Sequence, residues 1–256
     1  MKRFLIIGEQ CTDVFIYGSC SRLSPEAPVP VFNPYKRVEN PGMAANVEKN
    51  LQNMVFSGTT NWEIESILSD DFSKKIRYVD QKTNHYFLRV DEEGECPRII
   101  FGAGEKNKIA NADCIVISDY DKGFLTPDDV VSIYKRKKQG AVIFMDTKKR
   151  LSLQILEHVD FLKLNERESR ENLLPTHRKT FTSKIVITLG EKGAMRNSKT
   201  YPAKNQINTV DVSGAGDTFL AALSYSYVIS GDIGQSIMWA NEKAGEVVKK
   251  RGVATV

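Results

Sequence analysis

The segment Thr209-Val-Asp-Val-Ser-Gly-Ala-Gly-Asp217-Thr-Phe-Leu-Ala-Ala concentrates the residue types in this chain that are best suited to chemistry. Gly214 and Gly216 let a backbone turn approach a ligand closely and adopt positive φ. The small and apolar residues that follow predict a helix from 218 to about 229. A glycine turn that opens a helix, here Gly214-Ala215-Gly216, aims free N–H groups and the positive end of the helix dipole at one place, which suits an anion such as phosphate. Asp217 runs against that purpose, because a carboxylate repels the anion the turn would hold. It reads in one of two ways: a general base that takes a proton from a hydroxyl attacking a phosphate, or a plain carboxylate at a helix N-terminus.

A second constellation, Pro41-Gly-Met-Ala-Ala-Asn46-Val, leads into a predicted helix through Met54. Gly42 starts it, and Asn46 falls on its first turn, where an amide either meets sugar hydroxyls or caps the helix. Gly102-Ala-Gly104-Glu has similar letters, but Lys106, Asn107 and Lys108 follow it, so it is expected to be a turn. The chain has no G-x-x-x-x-G-K-S/T run, which excludes a P-loop enzyme. Nor is the Gly214 segment a dinucleotide fingerprint, since Phe219 takes the third glycine position and no early strand precedes it.

These residues need elements to position them. Residues 3–8 predict a buried strand ending at Gly8. Apolar runs at 114–118, 141–145, 161–164 and 185–189 alternate with helix-like segments such as 128–139, which argues for a parallel sheet covered on both faces. The runs end at Asp119, Asp146, Asn165 and Gly190. Ligands of open α/β sheets bind at the carboxyl ends of strands, so two carboxylates, an amide and a loop share one rim. Residues 11–36, with Pro25, Pro28 and Pro30, and residues 84–101, with an acidic glycine turn, read instead as β strands of a flap or as surface hairpins.

Composition narrows the possibilities. The 256 residues carry 36 Lys+Arg and 32 Asp+Glu, a net charge of +4 with both signs interleaved, which is no nucleic-acid signature. No apolar stretch is long enough to span a membrane, and the apolar start ends too soon for a signal peptide. Cys11, Cys20, Cys96 and Cys114 lie apart without CxxC spacing, and predict reduced thiols in a cytoplasmic protein.

Ser213-Gly-Ala-Gly-Asp-Thr-Phe and Gly42-Met-Ala-Ala-Asn resemble the two signatures of the ribokinase-like (PfkB) carbohydrate kinases. Four further runs are similar, more narrowly, to kinase domains that phosphorylate heptose 7-phosphate for ADP-heptose synthesis. They are Tyr17-Gly-Ser-Cys-Ser-Arg-Leu-Ser-Pro-Glu-Ala-Pro-Val-Pro-Val, Val116-Ile-Ser-Asp-Tyr-Asp-Lys-Gly, Asp146-Thr-Lys-Lys and Trp239-Ala-Asn-Glu-Lys-Ala-Gly with the final Gly-Val-Ala-Thr-Val. The likeness runs from residue 3 to 256. It implies one ribokinase-like domain over 1–256: a three-layer α/β/α fold with a mostly parallel central sheet and a small β-sheet lid from about 11–36 and 84–101.

The resemblance also implies a reaction, ATP with Mg²⁺ phosphorylating C1 of D-glycero-D-manno-heptose 7-phosphate, and roles for residues. Asp217 would be the base, and the N–H groups of Gly214, Ala215 and Gly216 would hold the transferred phosphoryl group. Asp13, Gly42 and Asn46 would bind the sugar. Asn165 and Glu168 match an N-x-x-E motif, the glutamate organising Mg²⁺ through water. Thr188, Gly190 and Gly193 would line the nucleotide cleft, with Asn241 near the adenine. Arg22, Arg89 and Lys122 are candidates for the sugar's own phosphate, or else solvated surface charges.

This chain departs from the family at three places. Met43 stands where a second glycine is usual, which is expected to stiffen a hinge or narrow the sugar site. Glu9 replaces an aspartate, and the stretch 51–78 is short, as if one sheet edge were trimmed. No H-x-G-H element occurs, so the kinase step alone is expected. A flap face with Val29, Val31 and Phe32 predicts a homodimer formed through the lid.

Overall fold

The structure, a computed structural model, describes residues 2–58, 62–70, 72–203 and 209–256. The chain opens on β1 (Lys2–Gly8), then leaves for a long antiparallel hairpin, β2 (Gln10–Leu23) and β3 (Pro30–Met43). It returns through α1 (Ala44–Ser57) to β4 (Trp62–Leu68), which lies parallel to β1. A second excursion adds β5 (Ser73–Asp80) and β6 (Tyr86–Glu93) to the hairpin. From α2 (Ala103–Asn111) onward, strand and helix alternate: β7 (Cys114–Asp119), α3 (Pro127–Arg136), β8 (Val142–Thr147), α4 (Leu153–His158) and β9 (Phe161–Asn165). There follow α5 (Glu166–Glu171), α6 (Pro175–Thr180), β10 (Ile185–Thr188), β11 (Ala194–Arg196), β12 (Lys199–Tyr201), α7 (Ala215–Ser230) and α8 (Ile233–Val247).

The eight-stranded sheet has the order β12-β11-β10-β9-β8-β7-β1-β4, and only the β10–β11 and β11–β12 pairings are antiparallel. Period-two alternation sends side chains of the same strand into two cores. Phe4, Ile6, Val116 and Phe144 pack against Val47 and Leu51 of α1 and Phe219 and Leu220 of α7. Leu5, Ile7, Ile117 and Met145 pack on the opposite face against Ile109 of α2, Ile133 of α3 and Ile155 of α4. The fold is thus the expected ribokinase-like α/β/α sandwich, and each of these fully buried side chains contributes about 1.5–3 kcal/mol.

The smaller sheet, ordered β3-β2-β5-β6, is the lid. Its hairpin strands run well beyond the short β segments expected between 11 and 36. β3 is an edge strand, which is why Pro30, Pro34 and Pro41 can lie in it without breaking a ladder. Of residues 84–101, only β6 is a strand. Its partner is β5, which precedes it, and past Gly94 the chain turns inward so that Ile99 is buried in the main core. Phe32 is not on a free face: it meets Tyr78 and Phe87 edge-on, at 5.3 and 5.6 Å between ring centroids.

Gly102-Ala-Gly104-Glu also differs from expectation: it opens α2 rather than forming a turn. One buried apolar anchor, Ile109, fixes this short helix to the sheet, while Lys106 and Asn107 stay exposed. The short stretch 51–78 holds the end of α1, β4 and most of β5; residues 59–61 and 71 in it lie outside the described residues. Among the described residues, no helix is long and apolar enough to cross a membrane.

Candidate active site

β7, β8 and β9 end at Asp119, Thr147 and Asn165, so the polar residues that close each apolar run meet along one rim. α7 aims its N-terminus at that rim. Gly214 takes φ +79° there, a left-handed conformation that a side chain would strain, and no side chain caps the helix. The Ala215 N–H donates to the Val212 carbonyl at 3.2 Å, and the N–H groups beside it, with no side chain capping them, are available to a ligand. The rim and the helix end enclose a cavity of about 620 Å³ whose lining includes Tyr120, Asp146, Lys148, Lys163, Gly216 and Asp217.

Asp217 is 5% exposed, on the first turn of α7. Asn46 Nδ2 donates to one carboxylate oxygen at 3.0 Å and the Tyr120 hydroxyl to the other at 2.8 Å. Burial pushes its pKa up to about 6, against the pull of those two hydrogen bonds; Asp146 adds to the rise and Lys163 opposes it. Asn46 is in turn held by Asn50, whose Nδ2 donates to Asn46 Oδ1 at 3.1 Å. Asn46 therefore faces the carboxylate rather than capping α1, whose N-cap residue Met43 makes no side-chain cap.

The strand register explains the next group. Lys163 on β9 lies opposite Asp146 on β8, and its Nζ is 2.7 Å from Asp146 Oδ2; both residues are 3% exposed. A buried lysine in a central strand requires such a partner. The other Asp146 oxygen is buried without a hydrogen bond, and Lys148 Nζ stands 3.9 Å from it. A Cβ on Gly216 would come within 3.1 Å of Lys163 Nζ, so this ammonium sits directly beside the α7 N-terminus. Glu168 and Asn165 form a reciprocal cap on α5, with Glu168 Oε2 accepting from the Asn165 N–H and Oε1 paired with Lys148. Burial lowers the Lys148 pKa, but Asp146 and Glu168 outweigh it and raise the group overall.

A second cavity of about 680 Å³ shares Thr188, Gly190, Val212 and Gly216 with the first. Gly193, Phe219, Ala244 and Asn241 line it as well. Asn241 donates to the Tyr201 carbonyl at 2.8 Å, which fixes the wall between α8 and β12. The residues expected around a nucleotide thus share one cleft, which opens into the Asp217 cavity.

On the lid side, Asp13 is buried and pairs with Arg77 at 2.5 Å. Gly42 is needed beside it, since a Cβ there would lie 2.1 Å from Asp13 Oδ2. Met43 adopts φ +56° and is 2% exposed, so the methionine is held in a glycine-like conformation where β3 passes into α1. Glu9 accepts from the N–H groups of Tyr120 and Lys122 at 2.8 and 3.0 Å, which ties the loop after β7 to the end of β1. Arg89 lies opposite Arg77 and pairs with Asp91, and Lys122 pairs with Glu93, so both are at the base of the lid. Arg22 is not brought to them: it is exposed at the far end of β2, about 30 Å along the strand from Asp13.

Tyr120, Lys148 and Lys163 were not singled out by sequence reasoning. Lys163 carried a usable signal, a lone charge inside the apolar run Phe161-Leu-Lys-Leu. Tyr120 carried only its place in the Val116-Ile-Ser-Asp-Tyr-Asp-Lys-Gly run, and nothing there pointed to its partner, 97 residues away.

Residues 71–256 match the pfkB family carbohydrate kinase. The bifunctional protein HldE of Caulobacter vibrioides is 30% identical over all of this chain and 62% of its own length, and HldE of Campylobacter jejuni is 30% identical over 99% and 62%. This chain thus spans about three-fifths of these relatives. Among solved structures, ribokinase from Thermotoga maritima superposes with a TM-score of 0.71 at 14% identity, covering 99% of this chain and 95% of that one. Phosphofructokinase-2 from Escherichia coli gives 0.69 at 12% identity, covering 98% and 94%. With its buried aspartate at an uncapped glycine turn and a cleft beside it, this chain belongs to the pfkB family and is a carbohydrate kinase.

Proposed function

We propose that this chain, acting as one kinase domain over 1–256, transfers the γ-phosphoryl group of ATP to the C1 hydroxyl of D-glycero-D-manno-heptose 7-phosphate, giving the 1,7-bisphosphate and ADP. The observation that carries the phosphotransfer reading is Asp217, buried and gripped on both oxygens in the first cavity, next to Gly216, which lines both cavities. Its carboxylate takes the proton of the attacking hydroxyl as the new O–P bond forms and the bond to the ADP oxygen breaks. The N–H groups of Gly214, Ala215 and Gly216, with Lys163 beside them, stabilise the charge on the moving phosphoryl group. The substrate rests on the likeness to HldE along the whole chain.

The buried Asp146 oxygen that has no hydrogen bond, with Lys148 Nζ 3.9 Å away, fits a cation, whereas both Glu168 oxygens already have hydrogen-bonded partners, so Glu168 would act through water. Mg²⁺ brought by ATP would neutralise the triphosphate there. Asp13 binds sugar hydroxyls, while Asn46, expected to do the same, is fully buried and spends its amide on Asp217 and Asn50. Gly42→Ala, which displaces the Asp13 carboxylate, is expected to raise the sugar KM roughly tenfold or more while the ATP KM holds.

Phosphorus NMR of the protein with Mg-ATP and the heptose phosphate tests the whole reading. A new anomeric phosphate signal growing with ADP is the expected result; ADP without it means another sugar is the substrate. No reaction in a protein that binds ATP means a nucleotide-binding regulator. Arg89 and Lys122 are assigned to the sugar's phosphate, so Arg89→Gln and Lys122→Gln should erase the preference for the phosphorylated sugar over free heptose. Leu23, Val29, Tyr35 and Leu88 leave the lid with exposed apolar surface, which supports a homodimer through the lid in the cytoplasm. Sedimentation equilibrium of wild type and Leu88→Glu would test the pairing.

A further inference from the structure

We propose that Tyr120 is a positioning residue for Asp217, its hydroxyl fixing the orientation of the carboxylate and its ring linking that carboxylate to the lid. The inference rests on the reading of Asp217 as the base.

Tyr120 directly follows β7, and its backbone N–H is pinned by Glu9 at 2.8 Å. Two ammonium groups then stand over its ring: Lys75 Nζ at 5.0 Å, from lid strand β5, and Lys148 Nζ at 5.3 Å, from the rim after β8. Cations over an aromatic ring favour one ring placement, and here it directs the hydroxyl at Asp217 Oδ1, 2.8 Å away. Burial, and then the nearby Asp217 and Asp146 charges, hold the phenol well above its usual pKa. The hydroxyl therefore stays a donor. Asn46, from the helix that follows lid strand β3, takes the other oxygen. The carboxylate is gripped from two directions, and each grip leads back to the lid. The charged or polar groups facing Asp217 are Asn46 on α1, Tyr120, Asp146 on β8, Lys148 just after β8 and Lys163 on β9.

A hydrogen bond to the ionised form favours that form. Tyr120→Phe keeps the ring and both lysine contacts and removes only this bond. Infrared titration can follow the protonated-carboxyl band that Asp217→Asn deletes, whatever the acceptor sugar. In Tyr120→Phe that titration is expected to move up by about one pH unit. With 3-fluorotyrosine at position 120, a stronger donor, it should move down. In turnover assays, Tyr120→Phe should lower kcat about tenfold with the ATP KM little changed, the acid limb moving with the infrared titration. Shifts absent from both variants would overturn the proposal, even if stability changed. Full turnover in Asp217→Asn would instead remove the base assignment. Loss of turnover in Asp217→Asn with an unmoved Tyr120→Phe would remove the Tyr120 role alone.

Discussion

Asp217→Asn is expected to lower turnover by about 10²–10⁴-fold while nucleotide affinity stays nearly unchanged. The asparagine keeps the shape of the side chain and can still meet Asn46 and Tyr120, but it cannot accept a proton from the attacking hydroxyl. Near-normal turnover would show that the proton goes elsewhere. The same variant should shift stability in the opposite direction. The folded carboxyl has a pKa raised from 3.8 to about 6, so its contribution to stability is fully present below the unfolded value. That contribution is lost as pH rises through about 6. At pH 8 the ionised, desolvated group costs on the order of 3 kcal/mol, and the asparagine removes that cost. Thermal melts should show Asp217→Asn above wild type at pH 8, with the gap closing towards pH 4. A constant gap across that range would mean that burial does not raise this group.

Lys163→Met is expected to destabilise the fold by about 3 kcal/mol, because it removes the one hydrogen-bonded partner of Asp146, which is 3% exposed, and leaves it only the longer contact with Lys148 at 3.9 Å. Replacing both partners, as Lys163→Met with Asp146→Leu, should recover most of that loss, since two apolar side chains of similar size carry no stranded charge. Urea unfolding of the single and double variants measures the difference. Equal loss in the single and the double variant would mean that the lysine stem, not the ion pair, stabilises the strand. Turnover should stay low in the double variant, whose cavity lacks the ammonium beside Gly216.

Much of the site was legible because its determinants are local. A glycine turn before a helix needs only neighbouring residues to form, so Gly214, Gly216 and Asp217 could be placed at a helix start from their spacing. The rim of Asp119, Asp146 and Asn165 followed from strands that end at polar residues. Other features depended on pairings between distant segments. The lid strands were underestimated because β2 and β5 pair across more than fifty residues of chain, and a four-residue apolar run says nothing about such a partner. Gly102-Ala-Gly104-Glu was expected to be a turn because its polar followers hide the one residue, Ile109, that the core holds. Arg22, Arg89 and Lys122 share a charge, and only the geometry of the lid separates the first from the other two.

The sequence by itself determined the layered α/β architecture, the helix-opening glycine turn and the carboxylate that follows it, since apolar periodicity and backbone freedom act over a few residues. Tertiary structure alone decided what Asp217 touches, which lysine neutralises Asp146, and which cations share the base of the lid. Those outcomes depend on strand register and on the low dielectric of a closed cavity, and both arise only when residues far apart in the chain are packed together.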